Sequence, residues 1–399
     1  MRAAFSALAS PLAGYEPAMS FSDLIMFLLS VGGHTGIWCA AFNQVHATRF
    51  PRWIRKIAEK LVYLSFAGLL SVLCLWMAGV ITRSNAAVNT YICVCLAGFA
   101  FVLLRWLFRQ LTSSPLAELR LQSRDLIDVG RELPGIKYSG LQARLLGMVP
   151  LNQSLKISVE RRELRMEGWP AELDGMVIAH LTDFHFTGKI CREYFERVVS
   201  ECNAIKPDFV FVTGDIVDKV ECIDWLPTTL GCLNATCGKY YILGNHDLRV
   251  KDEPRLRDAI ENCGFVAAGG EWQPLSFNGE CFSIAGDELP WFRGAENLPP
   301  AESPSVLLAH SPDRIFDAEK RNVDLVLAGH CHGGQIRLPI FGPIIAPSKH
   351  GVRFASGTFK QGRTLMHVSR GVSGDDPIRL NCPPELNVIE IRAGRGASG

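Results

Sequence analysis

The N-terminal third of the chain contains three long apolar runs, roughly Phe21 to Phe42, Leu61 to Thr82 and Thr90 to Phe108. Each is close to the ~20 residues a helix needs to cross the hydrocarbon core of a bilayer. The pattern predicts a membrane region over residues 1–112 with about three transmembrane helices. Asp23 and His34 interrupt the first run, and Gly32, Gly33 and Gly36 lower its helix propensity. Gly32 and Gly36 have the spacing of a helix-packing pair, one that chance also produces. The opening MRAAFSALASPLAG lacks the sustained apolar core of a signal peptide.

Basic residues give the orientation. Arg49, Arg52, Arg55, Lys56 and Lys60 lie between the first two runs, and Arg105, Arg109, Arg120 and Arg124 end or follow the third. Only Arg83 stands between the second and third. By the positive-inside rule, the first loop and everything after the third run are expected on the cytoplasmic face of the cell (inner) membrane, making the protein multi-pass. The thirteen cysteines are odd in number and irregularly spaced, which suits reduced thiols better than a disulfide framework. A net charge of +1 and the lack of any like-charge block give no reason to expect a nucleic-acid partner.

Residues 113–150 form a mixed-charge stretch expected to be a linker or interfacial segment. Within it, GLQARLLGMVPL fits either an amphipathic helix at the lipid interface or a linker helix packed on a soluble domain.

From about residue 151 to 399 the texture changes to short apolar runs, several followed at once by ionisable clusters: GMVIAHLTDFHF, DFVFVTGDIVD, KYYILGNHD, SVLLAHSPD and VDLVLAGHCHGGQ. Runs of this length suit strands buried on both faces. Helical segments fit between them, such as Arg192 to Ala204 and Glu253 to Asn262. The alternation predicts an α/β domain, and in such folds sites gather beyond the carboxyl ends of strands. Five ligand-bearing loops would then converge on one place.

In order, those loops carry Asp183 and His185; Asp215 and Asp218; Asn245, His246 and Asp247; His310; and His330 and His332. The series D-x-H, GD-x-x-D, GNHD, a lone H and GH-x-H resembles the calcineurin-like metallophosphoesterases, in full and in order. The resemblance implies a four-layer αββα sandwich and a metal-dependent phosphoric ester hydrolase with two divalent ions. It assigns Asp183, His185 and His332 to one ion, Asn245, His310 and His330 to the other, and Asp215 to both. Hydrolysing a phosphate ester needs a nucleophile at neutral pH and positive charge on the phosphoryl oxygens, and two ions about 3.5–4 Å apart supply both. The nucleophile implied is a hydroxide bridging the ions. His246 is implied to protonate the leaving oxygen or steady the transition state, with Asp247 as the natural partner to orient its ring. Asp218 is expected to be structural or to support a ligand, and Gly333 and Gly334 to let backbone and substrate approach closely.

Manganese, iron, zinc or cobalt would suit mixed oxygen and imidazole donors, with manganese favoured. Cys331 lies between two implied ligands and is expected to point away from them. His180, His350 and His367 read as core residues. Arg370 fits either a phosphate contact or a buried structural arginine.

The runs HLTDFHF, GHCHGGQIRLPIFGPIIAPSKHG and SRGVSGDDPIRLNCPPELNVIEI resemble a bacterial membrane-associated branch that holds the YkuE- and YaeI-type phosphodiesterases. That branch implies a phosphoester substrate, and a lipid-linked one such as UDP-2,3-diacylglucosamine suits a membrane-tethered domain. Two alternatives are a hydrolase of soluble nucleotides or phosphoproteins, and a metal-binding membrane sensor without turnover.

Overall fold

The structure, a computed structural model, describes residues 20–47, 52–82, 84–112, 116–135, 138–295, 297–300 and 303–394. The opening MRAAFSALASPLAG, Arg49 and Arg83, which entered the signal-peptide and orientation readings, lie outside the described residues. The chain divides into two compact units, one holding the three long apolar helices and the other residues 116–394.

In the first unit, α1 (Phe21–Ala47), α2 (Arg52–Met77) and α3 (Ala86–Thr112) are each long and apolar enough to cross a membrane. Asp23 does not disrupt α1; it starts it. The Ser20 N–H donates to Asp23 Oδ2 at 2.9 Å, and the Asp23 N–H donates back to Ser20 Oγ at 3.2 Å. This reciprocal pairing satisfies donors that a helix start would leave open. His34 is buried between helices, its Nδ1 2.7 Å from Tyr91 Oη. The glycines of α1 face α3: a Cβ built on Gly33 would stand 1.7 Å from the Cys95 carbonyl oxygen, and one on Gly32 would meet Phe99 at 2.9 Å. Small residues of this kind let two helix backbones approach.

The second unit contains strands β1 (Leu119–Asp128), β2 (Lys156–Glu167), β3 (Val177–Leu181), β4 (Phe209–Thr213), β5 (Gly238–Ile242), β6 (Val266–Ala267), β7 (Gln273–Phe277), β8 (Glu280–Asp287), β9 (Ser305–Ala309), β10 (Leu325–Ala328), β11 (Arg337–Leu338), β12 (Gly342–Pro343), β13 (Gly357–Gln361), β14 (Thr364–Val368) and β15 (Glu385–Gly394). Its helices are α4 (Val129–Glu132), α5 (Leu141–Gly147), α6 (Arg192–Ile205), α7 (Glu253–Glu261) and α8 (Ile315–Lys320). One sheet has seven strands in the order β1-β2-β15-β3-β4-β5-β6, and the other six in the order β13-β14-β10-β9-β8-β7. Within them β3-β4-β5-β6 and β8-β9-β10-β14 are parallel.

The strands are apolar on both faces because each sheet is covered twice. Phe209 and Phe211 of β4 face the second sheet, among Phe282, Ile284 and Leu308, while Val210 and Val212 face Phe195, Val198 and Leu256 of the outer helices. In β10, Leu325 and Leu327 point to the first sheet, and Val326 and Ala328 to Ile315 and Ala318 of α8. Period-2 alternation between two apolar layers gives the αββα order. Burial of each large side chain contributes about 1.5–3 kcal/mol.

The stretch 113–150, expected to be a linker, contributes a strand. β1 pairs antiparallel with β2 from Leu119↔Leu164 to Asp128↔Lys156. Its exposed side chains alternate too little with apolar ones to signal an edge strand in the sequence.

Candidate metal centre

All five ligand-type loops leave the carboxyl ends of parallel strands, three from the first sheet and two from the second. Asp183 and His185 follow β3; Asp215 and Asp218 follow β4; Asn245, His246 and Asp247 follow β5; His310 follows β9; and His330 and His332 follow β10. Five of these residues sit at positive φ: Asp183 (56°), His185 (46°), Asp215 (52°), His330 (70°) and His332 (50°). Each strand must turn abruptly to aim a short side chain at a common centre. Such backbone costs of order 1–3 kcal/mol per residue and persists only where the surroundings enforce it.

Asp183, His185 and His332 each place a ligand-type atom within 4.8 Å of one another, and so do Asp215, His310 and His330. Asp215 Oδ2 reaches both groups, 3.5 Å from His185 Nε2 and 3.2 Å from His310 Nε2. Asn245 Oδ1 lies 3.2 Å from His310 Nε2, and His330 Nδ1 the same distance from that nitrogen on another side. His310 Nδ1–H donates to the Thr213 carbonyl at 2.7 Å, and His185 Nδ1–H to Asp218 Oδ2 at 2.8 Å. In the neutral rings both Nε2 lone pairs therefore point inward, at other acceptors. In that neutral state lone pairs and carboxylate oxygens converge with no donor between them, and a divalent cation is the species such a set fits, taking the place of the protons that the carboxylates otherwise draw onto His310 and His185. Every residue expected at the ions is in this cluster.

The charges follow from the same crowding. Burial pushes the Asp215 carboxyl up, but the facing His310 and His246 outweigh it and hold the group well below the usual carboxylate range. Burial likewise opposes protonation of His310, yet Asp215 pushes that ring up to about 9. Burial brings His330 and His332 down to about 3, leaving both rings neutral. For Cys331, burial pushes the thiol well above its ordinary value, which disfavours thiolate chemistry.

Asp247 does not orient His246. Its carboxylate is turned into the loop, where it accepts the backbone N–H groups of Gly244 (2.7 Å), Ile216 (3.0 Å) and Val217 (2.8 Å). Burial, reinforced by the charge of Asp215, pushes its carboxyl up to about 7. Adjacent residues in a tight turn diverge, so the neighbour in sequence is not the neighbour in space. Asp218 takes that place, with Oδ1 2.5 Å from His246 Nδ1.

Gly333 and Gly334 have φ of 63° and 84° and lie against protein. A Cβ on Gly333 would stand 2.6 Å from Cys382 Sγ, and one on Gly334 2.6 Å from Pro343 Cβ. Arg370 is held in a buried network with Glu160 and Glu385, so its guanidinium is structural. His180 bonds Thr213 Oγ1 at 2.9 Å and His367 bonds Asn387 Oδ1 at 3.0 Å, both between the sheets, while His350 packs on Phe316 and Phe354.

Three neighbours of the cluster went unnoticed in the sequence. Arg249 Nη1 lies 2.5 Å from Asp218 Oδ1, with Nη2 3.3 Å from His246 Nε2. Arg379 is fully buried and donates to the His332 carbonyl at 2.9 Å. The ring of Trp291 lies 5.2 Å from that of His330 and 5.5 Å from that of His310. Arg249 follows His246 by three residues, a spacing that signals proximity in a helical turn; the other two carry no local signal.

Residues 176–334 match the calcineurin-like phosphoesterase family. YkuE of Bacillus subtilis (strain 168), named an uncharacterized metallophosphoesterase, is 32% identical over 234 residues, which cover 56% of this chain and 82% of its own. The chain belongs to this family. A calcineurin-like phosphoesterase is a metal-dependent hydrolase, and the family uses divalent ions, in keeping with the donor set described above. Phosphodiesterase YaeI of Escherichia coli (strain K12) is 26% identical over 220 residues, covering 54% of this phosphoesterase and 81% of YaeI. A Danio rerio protein named "Transmembrane protein with metallophosphoesterase domain" is 28% identical over 251 residues, covering 58% of this chain and 56% of its own.

Proposed function

We propose that the protein is a membrane-anchored phosphoesterase that hydrolyses a phosphodiester or pyrophosphate bond, on a lipid-linked substrate such as UDP-2,3-diacylglucosamine. The observation that carries the reading is Asp215 Oδ2, 3.2 Å from His310 Nε2 and 3.5 Å from His185 Nε2, a single carboxylate oxygen between two groups of donors. Asp183, His185 and His332 would hold one divalent ion, Asn245, His310 and His330 a second, and Asp215 both. Such ions, manganese first among the candidates, would supply a nucleophile from water at neutral pH and offset charge on the phosphoryl oxygens. Asp218 keeps His246 Nδ1 occupied, so a protonated His246 offers its Nε2 proton to the leaving oxygen. Arg249, whose Nη2–H donates to the unprotonated Nε2 at 3.3 Å, would turn to the phosphoryl group once that nitrogen carries the proton. Anchoring by α1, α2 and α3 in the inner membrane, with the catalytic unit on the cytoplasmic face, would raise encounter with substrates in that leaflet.

The test uses the full chain in detergent or nanodiscs, stripped of metal and reloaded with Mn²⁺, with a phosphomonoester, a phosphodiester and UDP-2,3-diacylglucosamine as substrates. Asp215→Asn is expected to abolish turnover and His246→Ala to slow it. Firm metal binding without turnover of any of the three would overturn the reading in favour of a sensor.

A further inference from the structure

The catalytic unit exposes large apolar side chains on two segments that the core does not explain. On and after α5, Leu141, Leu145, Met148 and Leu151 are 76%, 57%, 79% and 87% exposed. At the β11–β12 turn, Ile340 is 79% and Phe341 53% exposed. The two segments flank one strand-like stretch. Asn152 Nδ2 donates to the Pro377 carbonyl (2.8 Å) and the Gln153 N–H to that of Arg379 (2.8 Å), while on the other edge the Arg337 N–H donates to the Leu380 carbonyl (2.9 Å). That stretch also borders the metal centre through Arg379 on the His332 carbonyl.

Neither segment is loose. Ala143 is buried, and Gly147 lies so close to the Tyr138 ring that a Cβ would stand 2.2 Å from it, so α5 is seated on its small residues and turns Leu141 and Leu145 outward. Ile340 adopts φ of 70°, a conformation a β-branched residue rarely accepts, in order to stand at a hairpin tip. Charge points the same way. Residues 133–159 and 325–374 contain no Asp or Glu, yet include Arg144, Arg337, Lys349 and Arg353. Asp376, which accepts from Gln142 of α5, and its neighbour Asp375 are paired with Lys189 and Arg249, so the apolar surface with its basic residues stays complementary to an anionic lipid surface. Six residues join α3 to β1, and even fully extended they span at most about 25 Å. The catalytic unit is thus joined by a short stretch of chain to a helix long and apolar enough to cross a membrane.

We propose that α5 and the β11–β12 turn form an apolar rim that seats in the interfacial layer of an anionic bilayer, opening the metal centre toward phosphoesters that carry acyl chains. The substrate half of this inference rests on the function proposed above; the lipid contact does not.

The experiment places the photo-crosslinking residue p-benzoylphenylalanine at position 340, 148 or 224 of the full chain in phosphatidylcholine–phosphatidylglycerol vesicles. Positions 340 and 148 are expected to capture lipid acyl chains, and position 224, an exposed site in the 3₁₀ helix Val220–Thr228, is not. Capture at 340 and 148 of a second copy of the chain, or of no lipid, overturns the rim. In a second arm, Ile340→Ser combined with Phe341→Ser should raise KM about tenfold for a diacyl phosphoester presented in vesicles, the effect of losing part of two apolar contacts. Turnover of a soluble diester should stay at the wild-type level. Equal losses on both substrates would overturn the acyl-chain role. If no phosphoester is turned over, the function fails, and the crosslinking arm still decides the lipid contact.

Discussion

Asp218 Oδ1 lies 2.5 Å from His246 Nδ1. The other oxygen of the same carboxylate lies 2.8 Å from His185 Nδ1, so one side chain fixes both a candidate ligand and the candidate proton donor. In Asp218→Asn, one of the two rings would lose its acceptor and face an NH₂ group instead. Metal retention and kcat are each expected to fall about 10–100-fold, the usual cost of losing a group that orients a ligand. Elemental analysis of the purified variant and initial rates in excess Mn²⁺ check this. A variant that merely melts earlier, with full metal content and full activity, would remove Asp218 from the mechanism.

His246 touches the cluster from its edge, through Asp218, Arg249 and the His185 ring, whose centroid is 4.5 Å away. His246→Ala should therefore keep its metal while kcat drops by about 10²–10⁴, the range for losing a positioned general acid. The deficit should be larger for an alkyl ester, whose leaving oxygen needs a proton, than for a p-nitrophenyl ester, which leaves without one. Equal deficits on the two esters would argue for charge stabilisation instead.

Much of this site was legible because its chemistry is local. Each ligand-type cluster directly follows a strand, and strands buried on both faces read as short apolar runs, so β3, β4, β5, β9 and β10 announced themselves with their cargo attached. Side-chain direction was not legible. Asp247 and Asp218 are both acidic and both near the GNHD turn, and only the turn's geometry sends the first to backbone amides and the second to His246. Arg379 and Trp291 reach the cluster from segments 47 and 19 residues distant from the ligands they touch, His332 and His310, with no pattern to mark them. β1 is illegible for a different reason: an edge strand whose exposed residues run over 120–122 and 124–126, on both faces, and that has few β-branched residues gives a weak periodic signal.

Beneath the site, Glu385 accepts from Arg162 Nη2 at 2.7 Å and from the Arg370 backbone N–H at 2.9 Å. Burial pushes its carboxyl up, but Arg370 and Arg162 outweigh burial and hold it below its ordinary value of 4.5. A depressed carboxyl stabilises the fold above its unfolded value and loses that contribution as pH falls through the folded one. Glu385→Gln should thus cost about 3–5 kcal/mol at neutral pH, since it leaves buried guanidinium charge uncompensated. Thermal midpoints measured from pH 7 downward should show the gap to wild type narrowing once pH drops below 4.5. A constant gap would assign the loss to packing.

In the helical unit the decisive contact is between Gly33 of α1 and the backbone of α3. A Cβ there would overlap the Cys95 carbonyl oxygen at 1.7 Å and crowd the Phe99 nitrogen at 2.9 Å, distances that no side-chain rotation relieves. Gly33→Val must therefore push the two helices apart, at a cost of about 1–3 kcal/mol for overpacking. The catalytic unit is a separate compact body whose ligand-type residues all lie between Asp183 and His332. Hydrolysis of a soluble diester in detergent is accordingly expected to stay near wild type while the helices of the variant melt at a lower temperature by circular dichroism. Loss of diester activity in step with the helices would mean that the metal centre depends on the membrane unit for its geometry.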